Sequence, residues 1–122
     1  MAVTNSVLNT IKEMLGPSQL YEGFDTDIIV DINSVLMGLA QMGIVEEGTK
    51  ITDENDVWSD VIGDRTDLEA IKTYIYIKVK LLFDTPSNST VIQELEKHAT
   101  EYEWRMYAFS DVVCQPGGYD SV

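Results

Sequence analysis

The sequence predicts an all-α fold: four main helices including a long antiparallel pair, one short helix or extended loop between the second and third, and an extended C-terminal arm. Three observations predict it. Apolar residues recur at three- and four-residue spacing in four stretches, the period of a helix with one buried face. Residues that start and stop helices bracket those stretches. The turn between the third and fourth stretches is so short that the two must lie side by side and antiparallel.

The first helix is expected from Ser6 to Leu15, with Val7, Leu8, Ile11, Met14 and Leu15 on one face. Asn5 or Thr4 can cap it, and Gly16 and Pro17 end it. A short loop, Pro17 to Gly23, follows, from which Tyr21 can reach back to the core. The second helix opens at Asp25 as N-cap, with Asp27 in its first turn. Phe24 and Ile29 have the spacing of a hydrophobic staple. Its apolar face is Ile28, Ile29, Ile32, Val35, Leu36, Leu39 and Met42, and Gly43 is placed to stop it. Gly38 inside this helix costs about 1 kcal/mol relative to Ala. A close helix crossing would explain it.

Residues Ile44 to Arg65 are irregular. Thr49 to Thr52 reads as a short extended piece. Val57, Trp58, Val61 and Ile62 have the spacing of one or two helical turns, ended by Gly63. Loops of this length in a compact domain are uncommon and often functional. Trp58 anchors this one by burying its ring.

The third helix has the clearest signals. Thr66 and Glu69 form a capping box, Asp67 and Glu69 put negative charge on the positive end of the helix dipole, and Pro86 prevents continuation. Leu68, Ile71, Ile75, Val79 and Leu82 make one apolar stripe, and Tyr74, Ile77 and Leu81 a second beside it. Only a narrow face, with Lys72, Lys78 and Lys80, is left for water. Such a helix must be packed on two sides, by the rest of the fold or by a neighbouring subunit. Trp58, Tyr74, Ile77, Leu81 and Trp104 are the candidates for contact with that subunit.

The fourth helix is expected from near Asn88, a capping residue, to about Phe109. Its stripe, Ile92, Leu95, Ala99, Tyr102, Met106 and Phe109, has heptad spacing suited to packing against the third helix. Trp104 and Tyr107 fall off the stripe. Trp104 either covers the end of the core or meets a partner, where Trp is enriched. After Phe109 the composition changes, and Pro116, Gly117 and Gly118 break any element. The division is therefore a helical domain, residues 1–110, and an arm, residues 111–122, ordered on contact with partner subunits. The arm carries Val112, Val113 and Tyr119 for docking by strand addition or into a groove.

Length and charge bound the function. At 122 residues the chain is one domain with a modest core. It has no apolar run long enough to span a bilayer. Its N-terminal stretch lacks the pattern of a secretion signal, so a cytosolic origin is expected. A lone Cys114 excludes an intrachain disulfide and a finger-type zinc site. With 8 Lys and Arg against 21 Asp and Glu, the net charge of −13 argues against gripping nucleic acid by its phosphates. It is compatible with a surface past which DNA slides.

Chemistry is poorly supported. Glu94, His98 and Glu101 share a helix face, as metal ligands could. The third helix has nothing in its middle to complete the shell, and a surface ion cluster is the simpler reading. Asp53, Asn55 and Asp56 resemble the start of a calcium loop, but Trp58 stands where Gly is needed. There is no phosphate-binding Gly loop, nucleophile elbow or CxxC. No catalytic residue, metal site or cofactor is predicted, and an enzyme is not expected.

Four segments carry a resemblance: FDTDIIVDINSVLMGLAQMGI, ITDENDVWSDVIGD, DLEAIKTYIYIKVKLLFDTP and LEKHATEYEWRM. Together, from about Phe24 to Met106, they resemble the head–tail connector proteins of tailed bacteriophages, also called adaptor or head-completion proteins. The most specific piece is Trp58-Ser59-Asp60, then Lys72-Thr73-Tyr74-Ile75-Tyr76, then Phe83-Asp84 before Pro86. The resemblance implies a virion neck protein, made in the host cytoplasm, that assembles as a ring, typically of twelve copies, beneath the portal. Such a ring extends the DNA channel, helps retain packaged DNA and offers a surface to a downstream neck or tail-completion protein. DNA would pass through without specific binding. In relatives the C-terminal segment commonly packs on the portal. By position that role falls here to residues 111–122, with Asp111, Val112, Val113, Tyr119 and Val122 as contacts. The alternative, from charge alone, is a soluble acidic helical binding module such as a DNA-mimic inhibitor.

Overall fold

The broadly apolar third stretch becomes the centre of the molecule. The computed structural model describes residues 5–16, 22–63, 65–83 and 85–114, without the side chains of residues 22, 107 and 109–114. It contains α1 (Val7–Leu15), a 3-10 turn (Glu22–Phe24), α2 (Asp25–Gln41), the short α3 (Trp58–Val61), α4 (Leu68–Phe83) and α5 (Ser89–Cys114). α4 packs against α5, α2 and α1, and α1 also packs against α2. The architecture is all-α, as expected. Among the described residues the only β pairing is an isolated antiparallel bridge, Ser6 with Val57.

Both stripes of α4 are used within the chain. Ile71, Ile75 and Val79 are fully buried, and Tyr74 and Ile77 nearly so. Full burial of such a side chain contributes about 1.5–3 kcal/mol. α1 contributes Val7, Leu8 and Ile11 to the core, and α2 contributes Ile28, Ile32, Leu36 and Leu39. Leu82 departs from the expected stripe: it shares a face with Ile71 and Ile75, yet is 56% exposed.

Several helix ends differ from expectation. Ser6, not Asn5 or Thr4, caps α1: its Oγ accepts from the Asn9 N–H at 3.2 Å. Ser6 was placed one residue too far inside the helix. Asp25 is the first helical residue of α2, and Phe24 holds the cap position without a side-chain bond. Asp25 instead accepts from Lys12 Nζ at 2.6 Å, which joins α1 to α2 and leaves Lys12 only 5% exposed. The Phe24 ring meets Phe83 edge-on, with centroids 5.6 Å apart. At α4 the Glu69 carboxylate engages Lys72 at 3.3 Å, and Arg65 grips Asp67 through two nitrogens at 2.7 and 2.9 Å. Asn88 caps α5 as expected, its Oδ1 accepting from the N–H groups of Thr90 and Val91.

α5 continues past Phe109 to Cys114. The segment read as an arm therefore begins as helix, with Asp111, Val112 and Val113 inside α5. Residues 115–122, with Tyr119 and Val122, lie outside the described residues, as does the expected reach of Tyr21.

The long loop between α2 and α4 is ordered by specific bonds. Trp58 is 2% exposed, and its Nε1–H donates to Thr10 Oγ1 at 3.1 Å. The Val7 N–H donates to Asp56 O, and the Trp58 N–H to Asn5 O, both at 3.0 Å. These bonds tie the loop to the start of α1. The Asn33 amide on α2 clasps the backbone of Ile51, donating to its carbonyl at 3.0 Å and accepting from its N–H at 2.8 Å. Ile51 is thereby buried. Asp56 accepts from the backbone N–H groups of Thr52 and Asp53. Its bond to Thr52 holds the carboxyl below its ordinary pKa, with burial opposing. The would-be calcium ligands thus close a turn. Gly63 ends α3 at φ 94°, a left-handed conformation that Gly adopts without a Cβ clash.

Candidate assembly interface

Where α2 and α5 flank α4, their walls part into an open cleft. Tyr74, Lys78 and Leu82 of α4 form its floor, Ser34, Gly38 and Gln41 of α2 one wall, and Glu103 of α5 the other. Its volume is about 400 Å³. A second cleft of about 410 Å³ adjoins it between α4 and α5, sharing Lys78, Leu82 and Glu103 and adding Ala99 and Thr100. This geometry explains Leu82: its face of α4 is covered where the walls are close and opens where they diverge.

The cleft floor is built from the inside out. Tyr74 is 4% exposed, and its hydroxyl donates to Glu103 Oε2 at 2.8 Å. Burial first, then the bond to Glu103 and the charge of Glu103, push the Tyr74 pKa well above its ordinary value. Tyr74 is therefore a fixed neutral donor that holds α4 to α5. Lys78 Nζ lies 5.9 Å from the Tyr74 ring centroid, a cation–π arrangement. Gly38 faces open space: a Cβ built on it would meet nothing within 4 Å. Among the described residues there is no close crossing at this glycine to explain it.

The five residues considered for subunit contact are placed differently from one another. Trp58, Tyr74 and Ile77 are buried within the chain, so their apolar surface is already spent on its own core. Leu81 is partly buried against that core. Trp104 is 72% exposed, so it does not cover the end of the core. It sits on the outward face of α5 with exposed Glu101 three residues before it and exposed Ala108 four residues after it. The narrow wet face of α4 is also only half wet. Lys72 Nζ lies 5.4 Å from the Trp58 ring centroid, and all three lysines are partly buried.

The other candidate groups form no constellation. His98 Nδ1 is 3.8 Å from Glu101 Oε1 at the surface. Among the described residues no group of three or more His, Cys, Asp and Glu is placed to hold a metal ion, and no helix is long and apolar enough to cross a membrane.

Leu82 and Gly38 are cleft residues that sequence reasoning did not assign to a surface, whereas Lys78 stands on the face of α4 expected to meet water. Periodicity put Leu82 in the core because a stripe says which face is apolar, not where its neighbours end. Gly38 carried a usable signal, a glycine at a helical position whose own chain supplies no reason for it.

The family model of the phage connector protein matches residues 7–112. The chain belongs to the phage connector protein family. The match begins with α1 and ends two residues before α5 does, so it takes in the whole helical fold and both clefts. No curated protein and no solved structure matches the chain. Membership gives this connector a place in the phage neck.

Proposed function

We propose that this connector forms an oligomeric ring beneath the portal, twelve copies being the expected number. The ring extends the DNA channel, helps retain packaged DNA and links head to tail. The observation that carries the reading is the family match over the whole helical fold. Exposed Trp104 on a well-packed chain supports it, since Trp is enriched where protein surfaces meet. Repeated around a ring, a chain of net charge −13 would surround the channel with negative charge, so that DNA slides and is not held.

The C-terminal segment, residues 111–122, makes the portal contact in this reading, and the tail-side surface is left to a downstream neck or tail-completion protein. The test is co-purification of a tagged chain with the portal protein of the same phage. The full chain is expected to come down with the portal. A chain lacking Gln115 to Val122 is expected to keep its helical circular dichroism and lose most of the portal. Undiminished capture by the truncated chain would remove the docking role from the tail. Absence of capture by the full chain would contradict the neck reading itself.

A further inference from the structure

Three features of the cleft are unexplained by the chain's own packing, and they lie together. Gly38 leaves open space at a helix-interior position where Ala would be more stable. Leu82 presents more than half its surface on the floor. Lys78 has the Tyr74 ring beside it and, among the described residues, forms no ion pair. A site with an absent side chain, an apolar floor and an available ammonium fits a bulky apolar residue accompanied by a carboxylate.

The chain itself carries that combination. Among the described residues Trp104 is the most exposed large apolar one, and Glu101, three positions earlier on α5, projects from the same face. Trp104 does not line its own cleft. The two patches are therefore distinct, and a contact between them is heterologous, the kind that propagates from copy to copy and makes a ring where the rotation closes.

We infer that the cleft at Gly38, Lys78 and Leu82 is the seat for the Trp104 face of a second copy of this chain. The second copy's indole fills the space over Gly38 and Leu82, and its Glu101 carboxylate meets Lys78. The inference rests on the ring reading above and adds to it the two surfaces that join neighbouring copies.

The experiment measures assembly by sedimentation velocity, for the purified full chain alone and mixed with portal protein, with circular dichroism to verify folding. Trp104→Ala and Gly38→Leu are each expected to weaken self-association by roughly tenfold or more. Gly38→Leu keeps the fold, since Leu is the better helix former and the space is open. Lys78→Glu and Glu101→Lys each weaken association, and the double variant restores it to near the wild-type value. Wild-type association by Gly38→Leu and Trp104→Ala, with rings still formed on the portal, would overturn this interface and leave the ring reading standing. Failure of the charge-swapped pair to recover would also overturn it. Loss of portal binding with self-association intact would assign the cleft to the portal. A wild-type chain that stays monomeric alone and with portal would overturn both readings.

Discussion

At the residue scale, two side chains show how much of this small core depends on polar anchoring. Trp58 fills the core under the long loop, and its indole N–H is satisfied by Thr10, whose own hydroxyl donates to Ser6 O at 2.6 Å. Trp58→Phe keeps an aromatic ring but strands this network. It is expected to cost about 1–3 kcal/mol, read as a lower midpoint in urea unfolding. Asp31 on α2 behaves oppositely. Partial burial, then the neighbouring charge of Asp27, raise its pKa. A carboxyl raised in the folded state makes folding less favourable once it is ionised. That cost is present at neutral pH and disappears below the pKa of the unfolded chain. Asp31→Asn should therefore raise the thermal midpoint at pH 7 and lose this advantage near about pH 3. A benefit that persists unchanged in acid would mean that charge is not its origin.

At the element scale, helix periodicity made most of the architecture legible. Spacing alone points Ile71, Ile75 and Val79 to the core, where they lie, and capping chemistry places Asn88 and Gly63; Tyr74 and Ile77, which spacing left open between the core and a neighbouring subunit, are buried in the chain. What was not legible depends on long-range partners. Ile51 is a core residue because Asn33, on another element, clasps its backbone, and no local pattern announces that. Asp25 looks like an N-cap but is drawn to Lys12, since an ion pair between helices competed with the local bond. The end of α5 was misplaced because Pro116, Gly117 and Gly118 pointed to a break, although Val113 continues the three- and four-residue spacing of Met106 and Phe109 and a helix already nucleated adds further residues readily. Two glycines separate the roles of that residue. Gly38→Ala should stabilise the chain by about 0.5–1 kcal/mol, because it improves helix propensity in open space. Gly63→Ala should destabilise it by about 1 kcal/mol, because φ is positive there. Differential scanning calorimetry of the two variants checks both signs.

At the scale of the whole molecule, the chain combines a well-filled interior with an unfilled exterior. Apart from Leu82, the apolar stripes of α4 are wholly or partly covered within the chain, so the second stripe does not by itself demand a neighbour. The argument passes to the surface, to the cleft beside Gly38 and to Trp104 on the outer face of α5. That part of the candidate interface was half legible. Trp104 stood out in the sequence because it broke the stripe of its helix, whereas the cleft exists only where three helices diverge. The family was legible from four segments between Phe24 and Met106, and its match covers residues 7–112. The central claim, a ring joined to the portal, is tested most directly by imaging the complex of this chain with portal protein by electron microscopy. The account predicts a closed ring of this chain, coaxial with the portal and continuing its channel. Portal particles with bare ends, or with single copies bound off the axis, would contradict it.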